Sequence, residues 1–319
     1  MLQTEIAKKH HFIPEFYLKR WASRDRKLVE FRKQFQGVVK PKRKYPTETG
    51  YLRLGYALQG LSPDHASMLE EQFFKPVDTR ASLALDKIEA GVIAFTGAER
   101  VAWAQFVLSL VHRQPHRIEQ IRQMFQGVTL EISKADQRRW RRERRPHDPK
   151  QFVDAMRSDW ETDADAWQRR SMKMMVDSIC SPKIGNHIVH MRWGVITMPP
   201  FIPALLTSDM PVHWYGTLTS AGCHLLLPVG PKRVFYAVNS VEMETRLRAH
   251  PAAKFVHFLN EQTVRRAANC VYGLSEGWID YIQERMGVDP LPNTGDAAYI
   301  MPTPKRLKEM RRGLTRSTG

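Results

Sequence analysis

Residues 8–22 read KKHHFIPEFYLKRWA, and this stretch sets the start of the fold. Pro14 has no backbone N–H to donate, so it suits the first turn of a helix. Apolar side chains then recur at helical spacing: Phe16, Tyr17, Leu18 and Trp21. The stretch therefore predicts a short helix over residues 14–22, with two adjacent histidines, His10 and His11, immediately before it.

The segment after this helix alternates apolar and polar residues on both sides of a glycine. It reads KLVEFRKQFQGVVKPKR over residues 27–43, with Gly37 near its centre. Such alternation around a glycine is typical of a β-hairpin. The lysines and arginines of the segment would make one face of this hairpin strongly basic.

Two long helical patterns follow the hairpin, over residues 65–90 and 97–127. Thr96 and Glu99 form an N-capping signal at the start of the second pattern. Proline disrupts a helix interior because it removes a hydrogen bond. Two prolines lie inside these patterns and are expected to break or kink them: Pro76 and Pro115. A third long helix is predicted over residues 149–180.

The chain changes character after residue 190. Short runs rich in β-forming residues alternate with proline and glycine, which predicts a small antiparallel sheet over residues 190–240. Helices are predicted again at residues 241–249, 253–270 and 276–286. The predicted fold class is α+β and mostly helical, with a short N-terminal β-hairpin and the small sheet packed on the helices. We expect residues 1–290 to form one domain and residues 291–319 a basic tail.

The composition is that of a folded protein with a large excess of positive charge. The 319 residues are 42% hydrophobic and 10% aromatic, and the formal net charge is +16. A chain of this length buries a substantial core. A field of this sign concentrates polyanions around the molecule. Nucleic acid or another polyanion is therefore the expected partner, and a merely solvated basic surface is the alternative.

The cysteines and the apolar runs restrict the class of protein further. Cys180, Cys223 and Cys270 form no Cys-x-x-Cys pair, so neither a zinc knuckle nor a disulfide framework is indicated. No apolar run is long enough to cross a bilayer. We therefore expect a cytoplasmic protein without membrane association. The sequence also has no glycine-rich nucleotide motif, no Gly-x-Ser-x-Gly and no His-Glu-x-x-His, which disfavours nucleotide-driven motors, dehydrogenases and zincins.

The most basic run of the chain ends at Pro146 and reads RRWRRERR over residues 138–145. It combines phosphate-neutralising charge with an aromatic ring that can stack on a base. The predicted nucleic-acid-binding residues are Arg138, Arg139, Trp140, Arg141, Arg142, Arg144 and Arg145. A solvated, arginine-rich helix face is the alternative, and the acidic residues of 159–165 could neutralise it.

Several stretches resemble the successive signatures of one microbial family. They are the opening His-His-x-x-Pro-x-x-Tyr-Leu, LVHRQPHR at 110–117, LLTSDMPV at 205–212, HLLLPVGPKRVFY at 224–236 and FLNEQTVRRAANCVYG at 258–273. In this order they are similar to the family called domain of unknown function 4238. The resemblance implies a helix-rich α+β domain and no established activity. Met210 stands where the family usually has asparagine, and Trp21 where it usually has phenylalanine.

The polar signature positions of that family fall on five residues of this chain: His10, His11, Arg113, Ser208 and Asp209. The leading hypothesis makes His10 or His11 the general base and Asp209 the residue that orients it. Asp209 and His10 are also the candidate ligands of a divalent metal, the one cofactor that the pattern suggests. Arg113 and Ser208 would bind a phosphate oxygen of the substrate. The predicted function is a metal-assisted phosphodiesterase, of nuclease type, that acts on nucleic acid.

Two other interpretations stay open. In the first, the protein is a non-catalytic nucleic-acid-binding or protein-interaction module with structural histidines. Ser208 and Asp209 would then cap a turn before Pro211, and Arg113 would be the ion-pair partner of Asp209. In the second, the same pocket belongs to a hydrolase of a small anionic ligand, and the arginine run takes no part.

Overall fold

The computed structural model describes residues 9–53, 69–118, 120, 134–146, 148–151, 154, 173 and 175–289. Within these residues helices combine with three antiparallel sheets, one of two strands and two of four. The predicted α+β class is therefore confirmed, and the predominance of helix is confirmed only in part. The C-terminal tail, the acidic segment 159–165 and most of the helix predicted at 149–180 lie outside the described residues.

The described chain starts with strand β1 (Lys9–His11), helix α1 (Glu15–Leu18) and a 3-10 turn (Lys19–Trp21). Pro14 directly precedes α1 in an extended conformation, so its missing N–H leaves no helical hydrogen bond unmade. The helical turn predicted over residues 14–22 is confirmed.

Strands β2 (Leu28–Lys33) and β3 (Val39–Lys44) form the predicted hairpin. Gly37 has φ +81° in the connecting turn, a conformation that glycine adopts without strain. Strand β4 (Tyr51–Arg53) follows and pairs with β1 in a two-stranded ribbon. The N-terminal region thus holds two antiparallel pairs, of which only the hairpin was predicted.

Helices α2 (Lys75–Glu89) and α3 (Gly97–His112) pack against each other in the middle of the chain. One turn of π-helix (Glu70–Phe74) runs directly into α2. At the start of α3, the Thr96 hydroxyl accepts from the Glu99 N–H at 3.3 Å. The Glu99 carboxylate accepts from the Thr96 N–H at 2.9 Å in return. The predicted N-cap is therefore confirmed.

The two prolines in the helical patterns behave differently. Pro76 lies in the first turn of α2, where its missing N–H is tolerated, and the helical run continues through it, so the predicted break at Pro76 is wrong. Pro115 follows the end of α3 and opens the separate helical segment 115–118, so the predicted break is confirmed there. Further on, helix α4 (Lys134–Glu143) carries most of the arginine run.

The second half begins with helix α5 (Pro182–His190) and contains the predicted small sheet. Its strands lie in the order β5-β9-β8-β7: β5 (Arg192–Thr197), β7 (His213–Tyr215), β8 (His224–Gly230) and β9 (Arg233–Val238). A Cβ on Gly194 would lie 2.1 Å from the Tyr236 hydroxyl. The absent side chain therefore lets the Tyr236 ring of β9 pack directly on the backbone of β5.

The end of the described chain returns to the N-terminal hairpin. The elements are β6 (Thr207–Ser208), α6 (Val241–Arg248), α7 (Ala252–Arg266), β10 (Cys270–Gly273), a 3-10 turn (Glu276–Trp278) and α8 (Ile279–Arg285). The prediction of helix through residue 270 is wrong, because α7 ends at Arg266 and β10 pairs with both β2 and β6. The hairpin is therefore the edge of a four-stranded sheet in the order β3-β2-β10-β6.

The main hydrophobic core lies between α3 and the sheet β5-β9-β8-β7. Trp103 of α3 is fully buried, and its ring centre lies 5.1 Å from that of Phe106 and 5.5 Å from that of Phe235 in β9. Phe16 of α1 packs on Phe106 with ring centres 5.2 Å apart. Large aromatic groups dominate core energetics, so these contacts hold the N-terminal segment on the central helices. None of the described helices is long and apolar enough to cross a membrane.

Candidate functional site

The two most specific signature stretches meet at one side chain, Tyr17. Its hydroxyl donates to the Pro228 carbonyl at 2.5 Å, so the Thr207 hydroxyl, 2.9 Å away, is the donor of the second bond. Four residues further along α1 and its 3-10 turn, the Trp21 indole donates to the Leu205 carbonyl at 2.8 Å. The His-His-x-x-Pro and Thr-Ser-Asp stretches are therefore joined by buried hydrogen bonds.

Asp209 is a fully enclosed carboxylate whose two oxygens are both occupied. Oδ1 accepts from the Ala268 N–H at 3.0 Å, and Oδ2 accepts from those of Asn269 at 2.6 Å and Cys270 at 3.2 Å. Burial raises the pKa of Asp209 to about 6, although these backbone donors favour the ionised form. The side chain therefore holds the connection between α7 and β10, which explains why α7 stops where it does.

Ser208 takes part in the same junction. Its backbone pairs with Val271 of β10, and its hydroxyl accepts from the Met210 N–H at 3.1 Å. A hydroxyl that accepts from the N–H two residues on is typical of a turn. The turn-capping role considered for Ser208 is thus present in the structure. Phosphate binding by Ser208 stays a prediction.

The two histidines lie on the β1–β4 ribbon. His10 is buried opposite Leu52, and His11 is half-buried opposite Tyr51, with ring centres 5.6 Å apart. As neighbours on a strand they face opposite sides, so they are placed for different roles. The described contacts of Asp209 include neither imidazole. Their roles as general base and metal ligand stay predictions.

The ribbon that carries the histidines also touches the N-terminal hairpin. Thr49, two residues before Tyr51, donates to the carboxylate of Glu30 on β2. The Thr49 hydroxyl also lies 3.3 Å from the Tyr272 hydroxyl of β10. The histidine ribbon is therefore attached to the face of the sheet that contains Glu30.

Arg113 is a fully buried cation directly after α3. Its Nη1 donates to Oδ2 of Asp78 on α2 at 3.0 Å. Its guanidinium carbon lies 5.4 Å from the ring centre of Phe74 and 5.7 Å from that of Phe106, which allows cation–π attraction to both. The carboxylate partner of Arg113 is therefore Asp78. This corrects the alternative in which Arg113 pairs with Asp209.

Two acidic residues complete what we call the Arg113 cluster, defined as Glu70, Asp78 and Arg113. Burial raises the pKa of Glu70 to about 7, while the charge of Arg113 acts in the opposite direction. Burial also raises the pKa of Asp78, while the charge of Arg113 and its hydrogen bond act in the opposite direction. The sequence did not single out either acid. Glu70 is followed by an exposed glutamate, Glu71, and only helix packing distinguishes the two.

Two further histidines of the LVHRQPHR stretch are kept neutral. Burial lowers the pKa of His112 to about 3 and that of His116 to about 4, and the charge of Arg117 acts in the same direction. Both imidazoles are therefore uncharged at neutral pH. They add no positive charge beside the Arg113 cluster.

The arginine run is helical, and most of its described side chains face solvent. The exposed ones are Arg138, Arg141, Arg142 and Arg145. The Trp140 indole donates to the Pro149 carbonyl at 2.9 Å, which fixes the half-buried ring against the following segment. Arg144 is half-buried, and the side chain of Arg139 lies outside the described residues.

One face of the β2–β3 hairpin is basic, as predicted. The register places Lys40 opposite Arg32 and Lys42 opposite Glu30, so these side chains share a face. Glu30 forms ion pairs with Arg32 at 3.0 Å and with Lys44 at 2.7 Å. Lys40 and Lys42 are exposed, and neither forms an ion pair with any residue of the described chain. Within the described chain, two positive charges on this face therefore have no ion-pair partner.

The tip of the same hairpin exposes an aromatic ring. Phe35 is 93% exposed, the largest value among the described large hydrophobic residues. The next two residues, Gln36 and Gly37, have φ of +68° and +81°, so the backbone turns sharply behind the ring. The sequence pattern predicted the turn, and it did not predict that Phe35 would be left in solvent.

Within the ranges that the structure describes, no group of three or more His, Cys, Asp or Glu side chains is placed to hold a metal ion. Binding of a metal by Asp209 and His10 stays a prediction, and Asp209 would have to exchange backbone donors for the ion.

The architecture and these clusters define an α+β protein with a basic hairpin and a separate buried acidic–arginine cluster. The family described as "Protein of unknown function (DUF4238)" matches residues 9–277 of the chain. The chain therefore belongs to this family, as the signature stretches predicted. No curated protein and no solved structure matches it.

Proposed function

We propose that this protein binds nucleic acid through the basic face and the tip of the β2–β3 hairpin. One observation carries the proposal: Lys40 and Lys42, which form no ion pair within the described chain, share a face of a hairpin whose tip exposes Phe35 almost completely. Cations that follow a strand and an exposed aromatic ring are the two elements used to bind single-stranded nucleic acid.

The charge of this face favours a phosphate backbone over a protein partner. Glu30 is shared by Arg32 and Lys44, so the single carboxylate of the face is already neutralised. Lys40 and Lys42 are two residues apart on one strand and therefore project in the same direction. With the net charge of +16, the surrounding field also attracts polyanions.

Protection of a sheet edge explains only part of this arrangement. Strand β3 is the edge of its sheet, and lysine and proline on an edge prevent pairing with other chains. That role accounts for Lys40, Pro41 and Lys42. It does not account for Phe35, because a solvent-exposed phenyl ring favours association. Stacking of the ring on a base accounts for both features together.

The exposed arginines of α4 supply additional phosphate contacts in this proposal. Trp140 contributes less to stacking on a nucleic-acid base than the sequence suggested. Its indole N–H donates to the Pro149 carbonyl, and its ring is half-buried. A cytoplasmic location goes with the proposal. Metal-assisted phosphodiester cleavage by His10, His11 and Asp209 would be a further step, and binding by the hairpin does not depend on it.

The test is binding of short fluorescent DNA strands, measured by anisotropy over a range of salt concentrations. We expect affinity to fall steeply with salt. The variant Lys40→Gln/Lys42→Gln should bind several-fold more weakly and reduce the log–log salt slope by about two, one unit for each lysine. Lys183→Gln/Lys254→Gln is the matched control, because these lysines are also exposed and unpaired within the described chain.

A second variant tests the aromatic part of the surface. Phe35→Ala should weaken binding of single-stranded DNA by about 1–3 kcal/mol without changing the salt slope, because stacking releases no counterions. Equal losses in the hairpin and control lysine variants would overturn the proposal, as would absent binding at low salt.

A further inference from the structure

The Arg113 cluster contains hydrogen-bonding groups that the protein leaves unused. Arg113 is fully buried, and within the described residues only its Nη1 has a hydrogen-bond partner, Asp78. Nε and Nη2 are buried and have no hydrogen-bond partner among the described residues. These two nitrogens form one edge of the guanidinium plane. That edge is the fork that matches two oxygens of a carboxylate or phosphate.

The acids of the cluster are also incompletely paired. Oε2 of Glu70 and Oδ1 of Asp78 are buried without a hydrogen-bond partner in the described chain. Each such atom costs about 1–3 kcal/mol when it is buried and unsatisfied, and native proteins keep few of them. Four orphaned atoms on three interacting residues are therefore unexpected in a purely structural cluster.

The surroundings hold the guanidinium in place without using its free edge. Phe74 and Phe106 stabilise the positive charge through their rings, and Asp78 fixes Nη1. Glu70 and Phe74 belong to the π-helical turn before α2, a distortion that is frequent at functional sites. A fixed cation with two free donors on one side is preorganised for a ligand.

We propose that Glu70, Asp78 and Arg113 form a binding site for a small oxyanion, a carboxylate or a phosphate group. Two oxygens of the anion accept from Nε and Nη2 of Arg113, and Asp78 keeps the guanidinium oriented through Nη1. Glu70, as a carboxylic acid, donates its proton to the anion. The site is separate from the hairpin and does not depend on nucleic-acid binding.

Proton uptake by Glu70 gives the site a pH dependence. The pKa of Glu70 is raised to about 7, so near neutral pH the acid exists in both forms. The charged groups that act on it are Arg113, Asp78, Glu71 and Lys75. Because an ionised Glu70 would repel the anion, we expect affinity to rise as pH falls from 8 to 6.

The test is the melting temperature of the full chain with sodium phosphate, sodium acetate or sodium chloride at matched ionic strength, at pH 6 and pH 8. A saturable rise with phosphate alone identifies a phosphate site, and a rise with acetate identifies a carboxylate site. Arg113→Lys keeps the charge without the fork and should weaken binding at least about tenfold. Arg192→Lys is the control, because this arginine is exposed and far along the chain on β5.

Two outcomes overturn the proposal: equal responses to all three salts, and an unchanged oxyanion response in Arg113→Lys. If Arg113→Lys does not fold, the variant Glu70→Gln tests the oxyanion site instead. It mimics the neutral acid, so its response to acetate should become nearly independent of pH, and its response to phosphate should keep only the pH dependence of the phosphate ion itself. A pH dependence equal to that of the wild type contradicts the site. Lys40→Gln/Lys42→Gln should keep the full oxyanion response, which separates this proposal from the nucleic-acid proposal.

Discussion

Asp209 and the Arg113 cluster are both buried and charged, and they differ in how fully they are paired. The Asp209 carboxylate accepts three backbone N–H groups, and both of its oxygens are used. In the Arg113 cluster, one ion pair between Arg113 and Asp78 leaves four buried atoms without a hydrogen-bond partner among the described residues. The comparison separates a group that maintains the fold from a group that is available for a ligand.

The two sites differ because their partners come from different sources. Asp209 lies beside a chain reversal, where several consecutive N–H groups point in one direction. Arg113 lies between helices, whose backbone groups are already bonded within the helices. Side chains alone must therefore satisfy it, and within the described part of the chain only Asp78 accepts a hydrogen bond from it.

Removal of the Asp209 carboxylate should have the largest effect on stability. Asp209→Ala leaves three backbone N–H groups without this acceptor, one of them buried and two half-buried, so we expect the free energy of unfolding to fall by about 2–4 kcal/mol. Urea denaturation followed by circular dichroism measures it. Asp280→Ala, at an exposed aspartate of α8, is the control and should change stability little. A loss below about 1 kcal/mol for Asp209→Ala would remove the contrast between the two sites.

Substitution of Glu70 should raise the free energy of unfolding, whereas substitution of Asp209 lowers it. The pKa of Glu70 is raised from 4.5 to about 7 on folding, so the folded state binds the proton more tightly than the unfolded state. The free energy of unfolding of the wild type should therefore fall as the pH rises from 4.5 to about 7, between the two pKa values. Glu70→Gln does not titrate, so it should match the wild type near pH 5 and exceed it by about 1–2 kcal/mol at pH 8. Urea denaturation at both values checks this, and a less stable variant at pH 8 would contradict it.

The link between the two signature stretches should have a smaller effect. Tyr17→Phe removes a hydroxyl that donates to Pro228 and accepts from Thr207, and we expect a loss of about 1–2 kcal/mol. Thr207→Val tests the partner, and the double variant should lose less than the sum of the two. Strict additivity in thermal unfolding would mean that the two hydroxyls do not interact.

The smallest effect on stability is expected at the hairpin surface. Lys42→Gln removes an exposed charge that has no ion-pair partner in the described chain, so unfolding should change by less than about 0.5 kcal/mol. DNA binding should nevertheless weaken. A large change in melting temperature would show that Lys42 has a structural role. The hairpin surface would then contribute to stability as the buried sites do.

Local patterns in the sequence were sufficient for elements that depend on near neighbours. The hairpin around Gly37 follows from alternation and a positive φ, and the Thr96–Glu99 cap follows from contacts three residues apart. Strands β5, β8 and β9 of the small sheet were recognised for the same reason, whereas β6, which was predicted with them, pairs with β10 in the other four-stranded sheet. The α+β class and the family membership could also be predicted.

The sequence by itself therefore determined the α+β class, the hairpin with its basic face, and the positions of the polar signature residues. The tertiary structure alone decided that β10 leaves the predicted helix to pair with β2, and that Asp209 is saturated by backbone donors. It also decided that Glu70 and Asp78 are the acids that interact with Arg113. The physical reason is that burial and hydrogen-bond partners are set by segments far apart in the chain, whereas propensity and periodicity report only on neighbours.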